Sequence, residues 1–214
     1  VIDAEPASAF SPEILGLLAS IGIENDKPFS PDSRLRGILE EAVAVGNATA
    51  RAISFLARDP RAYFYEGSGW FNPFIGGSHE FLTESGARDL DARTMFHYPY
   101  TAVTPAMAMQ IVGIGSQYGV ITVDADGNYL DGSRSYSITL PAGIPAKDFW
   151  SFVNYDPQTR SILQTPTTAQ PSVSSQSGEV QANDDGSVTV WFGPEPPPGK
   201  ASNWVPTVAG KGWF

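Results

Sequence analysis

The chain has 214 residues, 42% of them hydrophobic, which is enough to bury the core of one good-sized domain or two small ones. Its 23 acidic residues outnumber 13 basic ones for a formal charge of -10, and no Lys/Arg cluster interrupts the excess, which excludes the concentrated basic footprint that a nucleic-acid partner requires. There is no cysteine, so disulfides, thiolate-bound zinc and thiol nucleophiles are excluded, and no apolar run approaches the length of a membrane span.

The first sixty residues read as helical. In "FSPEILGLLASIG", Ser11 is placed to cap a helix that has Pro12 at its first position, Glu13 in its first turn, and Ile14, Leu15, Leu17 and Leu18 before Gly22. A longer helix follows in "FSPDSRLRGILEEAVAVGNATARAISFLARDP". Here Ser30 is the expected cap, Leu35, Ile38, Leu39, Val43, Ile53 and Leu56 recur at near-helical spacing, Gly46 and Asn47 invite a break, and Asp59-Pro60 is the expected end.

From about Tyr63 the chain turns to aromatics, glycines, prolines and short β-type runs. The expected strands are "RTMFHYPY", "YGVITVDA", "SYSITL", "FWSFVNYD" and "GSVTVWF", separated by turn sequences such as "DADGNYLDG", "LPAGIPAKD" and "NDDG". In "SYSITL", Tyr136, Ile138 and Leu140 fall on one face and Ser135, Ser137 and Thr139 on the other, the alternation of an antiparallel sheet covered on one side. "TPAMAMQIVG" predicts a short helix opened by Pro105, and residues 165–178 read as a polar loop. The fold class that follows is α+β: a small helical connecting domain over residues 1–66, then an antiparallel β jelly-roll-like sandwich over 67–214.

Few motifs carry chemistry. Asp124, Asp126, Asn128 and Asp131 are spaced oxygen donors, but Gly127 stands fourth and no terminal Glu follows, so they fit a hairpin turn rather than a calcium loop. His79 and His97 are the only imidazoles, and Ser116 in "GIGSQYG" lacks the spacing of a nucleophile elbow. Carboxylates near aromatic residues include Glu66, Glu80, Glu84, Asp89, Asp91, Asp148, Asp156 and Glu195, and spacing alone does not pair any two of them. No phosphate loop, dinucleotide fingerprint or zinc-protease signature occurs, so no metal and no cofactor is expected. Aromatic residues are the stronger signal, crowded into "YFYEGSGWFNPF" and recurring at Trp150, Tyr155, Trp191 and Trp204; they read either as packing or as a ligand-stacking surface.

Three stretches together resemble one family: "FIGGSHEFLTESGARDLDARTMFHYPYTAVTPAMAMQIVGIGSQYG", "DADGNYLDGSRSYSITLPAGIPAKDFWSFVNYDPQTRSILQT" and "NDDGSVTVWFGPEPPPGKASNWVPTVAGKGWF". It is the mostly bacterial family catalogued as Domain of Unknown Function 1214, and the likeness runs over about residues 70 to 214. The resemblance implies an N-terminal β domain, a small helical middle domain and a C-terminal jelly-roll-like domain, with many members exported to the cell envelope. It brings no reaction with it. Measured against that pattern, this sequence has no N-terminal β domain and stops at "GKGWF", before a further strand. The expectation is therefore a fragment whose partners are that β domain of the same protein or further copies of itself, in a periplasmic or secreted setting.

Two functions fit these residues. The first is a non-catalytic binding or assembly module that contacts a glycan, a small lipid-like molecule or other subunits, with Trp204, Asn203, Trp70 and Trp150 as ligand-binding candidates. The second is a hydrolase of an envelope or polymer substrate, with Glu195 and Asp156 as carboxylates and Arg160, Lys200 and Tyr155 nearby.

Overall fold

In the computed structural model, residues 2–109, 111, 113, 114, 117–166 and 170–214 are described. Ser116 lies outside them. The chain forms two compact units, Val1–Arg51 and Ala52–Phe214.

In the first unit, α1 (Pro12–Ser20) begins as its sequence predicts: the Ser11 hydroxyl oxygen accepts the Ile14 N–H at 3.3 Å, satisfying one of the donors a helix start leaves free. It ends where Gly22 takes a φ of 84°, with the Ile23 N–H returning to the Leu18 carbonyl. The second helix, α2 (Ser33–Phe55), differs from expectation at three points. Its cap is Asp32, whose carboxylate accepts the Leu35 N–H at 2.7 Å, rather than Ser30. It runs unbroken through Gly46 and Asn47, because a single glycine costs a helix only about 1 kcal/mol and Ala42, Ala44, Ala48 and Ala50 on either side favour the helix. It stops at Phe55, short of Asp59-Pro60. None of α1 is buried, and Leu17 and Val43 stand 66% and 70% exposed, so the apolar stripes that make these helices legible are largely uncovered.

The second unit holds the cores. One gathers Phe71, Phe74, Ile75, Phe81, Ala92, Met95 and Phe96; the other gathers Leu130, Leu163, Val173, Val190, Phe192, Val205 and Trp213. "RTMFHYPY", expected as a strand, lies instead in helix α3 (Leu90–Tyr100). The Asp89 carboxylate caps it by accepting the Ala92 N–H at 3.0 Å, and Ala92, Met95 and Phe96 then fall on one buried face at helical spacing. Capping plus a core to face outweighs the β preference of the aromatics. Pro105 opens the short helix α4 (Pro105–Ala108), as predicted.

Strands β1 (Tyr136–Leu140) and β4 (Val188–Gly193) pair antiparallel, Tyr136 opposite Phe192 and Leu140 opposite Val188, and β1 alternates in burial as its sequence predicts. β5 (Trp204–Pro206) joins β4 in parallel, Trp191 opposite Trp204. Parallel neighbours need a crossover rather than a tight turn, and the proline-rich stretch 194–203 supplies it, with Gly199 at a φ of 73° making the bend. β2 (Ser151–Val153) pairs with β3 (Ser172–Ser174), which lies inside the stretch expected to be a polar loop. "YGVITVDA" makes only isolated bridges, Val120 to Phe71 and Val123 to Tyr129. The content is thus α+β as expected, with the described strands in a three-stranded and a two-stranded sheet. No helix among the described residues is long and apolar enough to cross a membrane.

Candidate functional site

A cleft of about 300 Å³ opens beside the start of α3, lined by Ile53, Arg58, Asp59, Ile75, Asp89, Asp91, Ala92 and Met95. Its size lies at the lower end of small-ligand sites. A second cavity, of about 10 Å³ between Phe55, Phe71, Met95, Tyr100 and Phe214, has room for one water at most.

Three short elements build the cleft. The last turn of α2 supplies Ile53, and the chain just beyond it supplies Arg58 and Asp59. A 3-10 turn at Ile75–Gly77 supplies Ile75, and the first two turns of α3 supply Asp91, Ala92 and Met95. Ile75, Ala92 and Met95 are buried, giving the cleft an apolar floor. Charged groups form the rim. Asp59 accepts the Arg61 backbone N–H at 2.8 Å and holds the Arg61 guanidinium through both oxygens. Arg61 reaches on to Asp89 Oδ2 at 3.0 Å, while Asp89 Oδ1 caps α3. The Arg61 guanidinium holds the Asp59 carboxyl below its ordinary pKa, and the Asp59 carboxylate, aided by Asp89, pushes Arg61 up. Asp59, Arg61 and Asp89 are thus committed to one another. Arg58 and Asp91 are exposed, and their side chains make no hydrogen bond or ion pair among the described residues.

The residues singled out from the sequence are placed elsewhere. Tyr155, Asp156 and Arg160 share one turn. The buried Asp156 carboxylate accepts the N–H groups of Gln158 at 2.7 Å and Thr159 at 3.3 Å, and Lys211 Nζ lies 3.4 Å away. Burial works to raise its pKa, but these donors outweigh it and hold the carboxyl below its ordinary value. Arg160, at a φ of 60°, lays its guanidinium 4.7 Å from the centre of the Tyr98 ring, and Tyr155 stacks on Phe214 at 5.5 Å. Glu195 and Lys200 are exposed on the crossover after β4; the Glu195 side chain has no polar partner among the described residues.

The aromatic and amide candidates make contacts within the fold. Asn203, 4% exposed, spends its side chain on three backbone groups: Oδ1 accepts the Gln181 N–H at 2.8 Å, and Nδ2 donates to the carbonyls of Gln181 at 2.8 Å and Thr189 at 2.9 Å. Trp204 Nε1 donates to the Gly193 carbonyl at 2.9 Å, tying β5 to the end of β4. Trp70 and Trp150 flank Phe152, with ring centres 6.2 and 6.0 Å from it. His97 packs edge-on against Phe81 and Phe96, and His79 is exposed. Asp124 accepts the N–H groups of Asp126 and Asn128 in a turn where Gly127 has a φ of 81°, the hairpin geometry its sequence predicts. Asp89 and Asp91 stood among the carboxylates in the sequence, but nothing local marked them as joined to Ile53, Arg58 and Ile75.

The helices and small sheets together define an α+β protein. Residues 115–214 match the model of the family described as "Protein of unknown function (DUF1214)", which agrees with the resemblance read from the motifs, although the matched region begins later than residue 70. No curated protein matches the chain. Among solved structures it is similar to the VPA0106 protein from Vibrio parahaemolyticus, at 17% identity and a TM-score of 0.37, over 94% of this chain and 44% of that one. The chain therefore spans less than half the length of that protein.

Proposed function

We propose that the protein is a non-catalytic binding module that takes a small molecule in the cleft beside α3. The cleft itself carries the reading: it is ligand-sized, floored by Ile75, Ala92 and Met95, and rimmed by charged groups at its mouth. Two of the polar residues proposed for hydrolysis have other employment. Asp156 serves its own turn and Lys211, and Arg160 lies over Tyr98. Action outside the cytoplasm, in the envelope or as a secreted protein, is part of this proposal and rests on the family resemblance.

The test is methyl NMR on the intact chain titrated with a fragment library of small polar and amphipathic molecules. The Met95 and Ile75 methyl signals are expected to shift saturably with at least one fragment class and to stay still in an Asp91→Trp variant, whose exposed position lets the indole plug the cleft without a folding cost. Fragments that move only signals remote from α3 would overturn the reading.

A further inference from the structure

The charges around the cleft are unequally engaged, and that inequality narrows the ligand. Asp59, Arg61 and Asp89 form a closed chain of ion pairs, with Asp89 also bound to the start of α3. Breaking that chain to bind a ligand would expose the Ala92 N–H and strand Arg61, so Asp59 and Asp89, held by Arg61, act as a fixed wall of the cleft. Arg58 and Asp91 are the lining charges left with a free fork and a free carboxylate. They come from different elements, Arg58 from the chain beyond α2 and Asp91 from the first turn of α3.

A simple cation would meet Asp91 but leave the Arg58 charge facing it. A simple anion would pair with Arg58 and be repelled by three carboxylates, Asp59, Asp89 and Asp91, which line the same cleft. A molecule carrying both charges answers both groups: its carboxylate suits the planar guanidinium fork, and its ammonium suits a carboxylate acceptor. The same cleft is lined by the aliphatic side chains of Ile53 and Ile75 and the thioether of Met95. These accept a branched, non-aromatic hydrocarbon, and Met95 adapts its shape to irregular ones.

Resting on the binding-module reading, we infer that the cleft takes an aliphatic zwitterion of amino-acid or short-peptide kind, its carboxylate on Arg58 and its ammonium on Asp91. Discrimination comes from charge placement, and the apolar body adds affinity.

The probes are L-leucine and leucyl-leucine, which carry the same two charges at different separations, together with the methyl ester and the N-acetyl derivative of each. Affinities are read from the Met95 and Ile75 methyl shifts of the intact chain. Wild-type protein is expected to bind one of the two zwitterions at least tenfold more tightly than its ester or its N-acetyl form, with affinity falling as salt is raised. Arg58→Gln should erase the preference over the ester while keeping that over the N-acetyl form, and Asp91→Asn should do the reverse. Both positions are exposed, so the variants keep the fold. Equal binding of ester and zwitterion to wild type would overturn the inference and leave the cleft reading standing, as would saturable shifts with other fragments but none with these probes. No saturable shift with any small molecule would overturn both.

Discussion

Asn203 grips the backbone of Gln181 from both sides, accepting its N–H and donating to its carbonyl, each at 2.8 Å. The same amide donates to Thr189 of β4, so one buried side chain binds the approach to β4, the strand itself and the turn into β5.

Asn203→Ala removes three hydrogen bonds and leaves buried backbone groups unpaired, which should cost about 3 kcal/mol. Asn203→Asp keeps the shape but turns a carboxylate oxygen toward two carbonyls, and should be at least as damaging. Urea unfolding at neutral pH measures both; a loss within about 0.5 kcal/mol for either would show that the clamp is dispensable.

Gly132 admits no side chain. A Cβ there would lie 2.1 Å from the Val208 carbonyl oxygen and 2.9 Å from that of Lys211, both backbone atoms that cannot swing away. Its N–H and carbonyl are also committed, to Lys211 and to the Thr207 hydroxyl. Gly132→Ala should therefore cost about 3 kcal/mol by forcing the 207–212 segment off the 130–132 segment. Hydrogen exchange should show lost protection first at Gly132 and Trp213.

Asp89 performs two tasks that substitution separates. Asp89→Ala loses the cap of α3 and should cost about 1 kcal/mol. Asp89→Asn keeps an oxygen for the Ala92 N–H and loses only the ion pair with Arg61, whose side chain is 56% exposed, so its cost should stay within about 0.5 kcal/mol. Thermal melts of the two variants side by side check the ordering; equal losses would mean that the ion pair, not the cap, is what matters.

Asp156 links stability to pH. Its folded-state pKa lies below the unfolded value, so the ionised carboxylate stabilises the fold above about pH 4 and loses that contribution as pH falls through the folded value. Asp156→Asn keeps an oxygen for the N–H groups of Gln158 and Thr159 but loses the charge they and Lys211 stabilise, so it should be measurably less stable than wild type at pH 7. The gap from wild type should shrink steadily below about pH 4. Urea melts at pH 7 and pH 3 give the comparison, and a gap that does not narrow would contradict the linkage.

Signals that act within one turn or one strand could be read from the residues alone. Ser11 before Pro12, Pro105 at the head of α4, the alternation of β1 and the Asp-Gly turn at 126–127 each act between residues a few positions apart, so they were legible without a fold. The tertiary structure decided the rest. Residues 93–100 have aromatics that suit a strand and a cap at Asp89 that suits a helix; the buried places for Ala92, Met95 and Phe96 settled it. Strand β3 hid in a polar stretch because its partner, β2, lies twenty residues earlier in the chain. The cleft was invisible for the same reason. Ile53, Arg58, Ile75, Asp91 and Met95 form a surface only when three separate elements are brought together, and no local spacing encodes that. Local hydrogen bonds and side-chain periodicity write themselves into sequence, whereas a binding surface is a product of packing between distant segments.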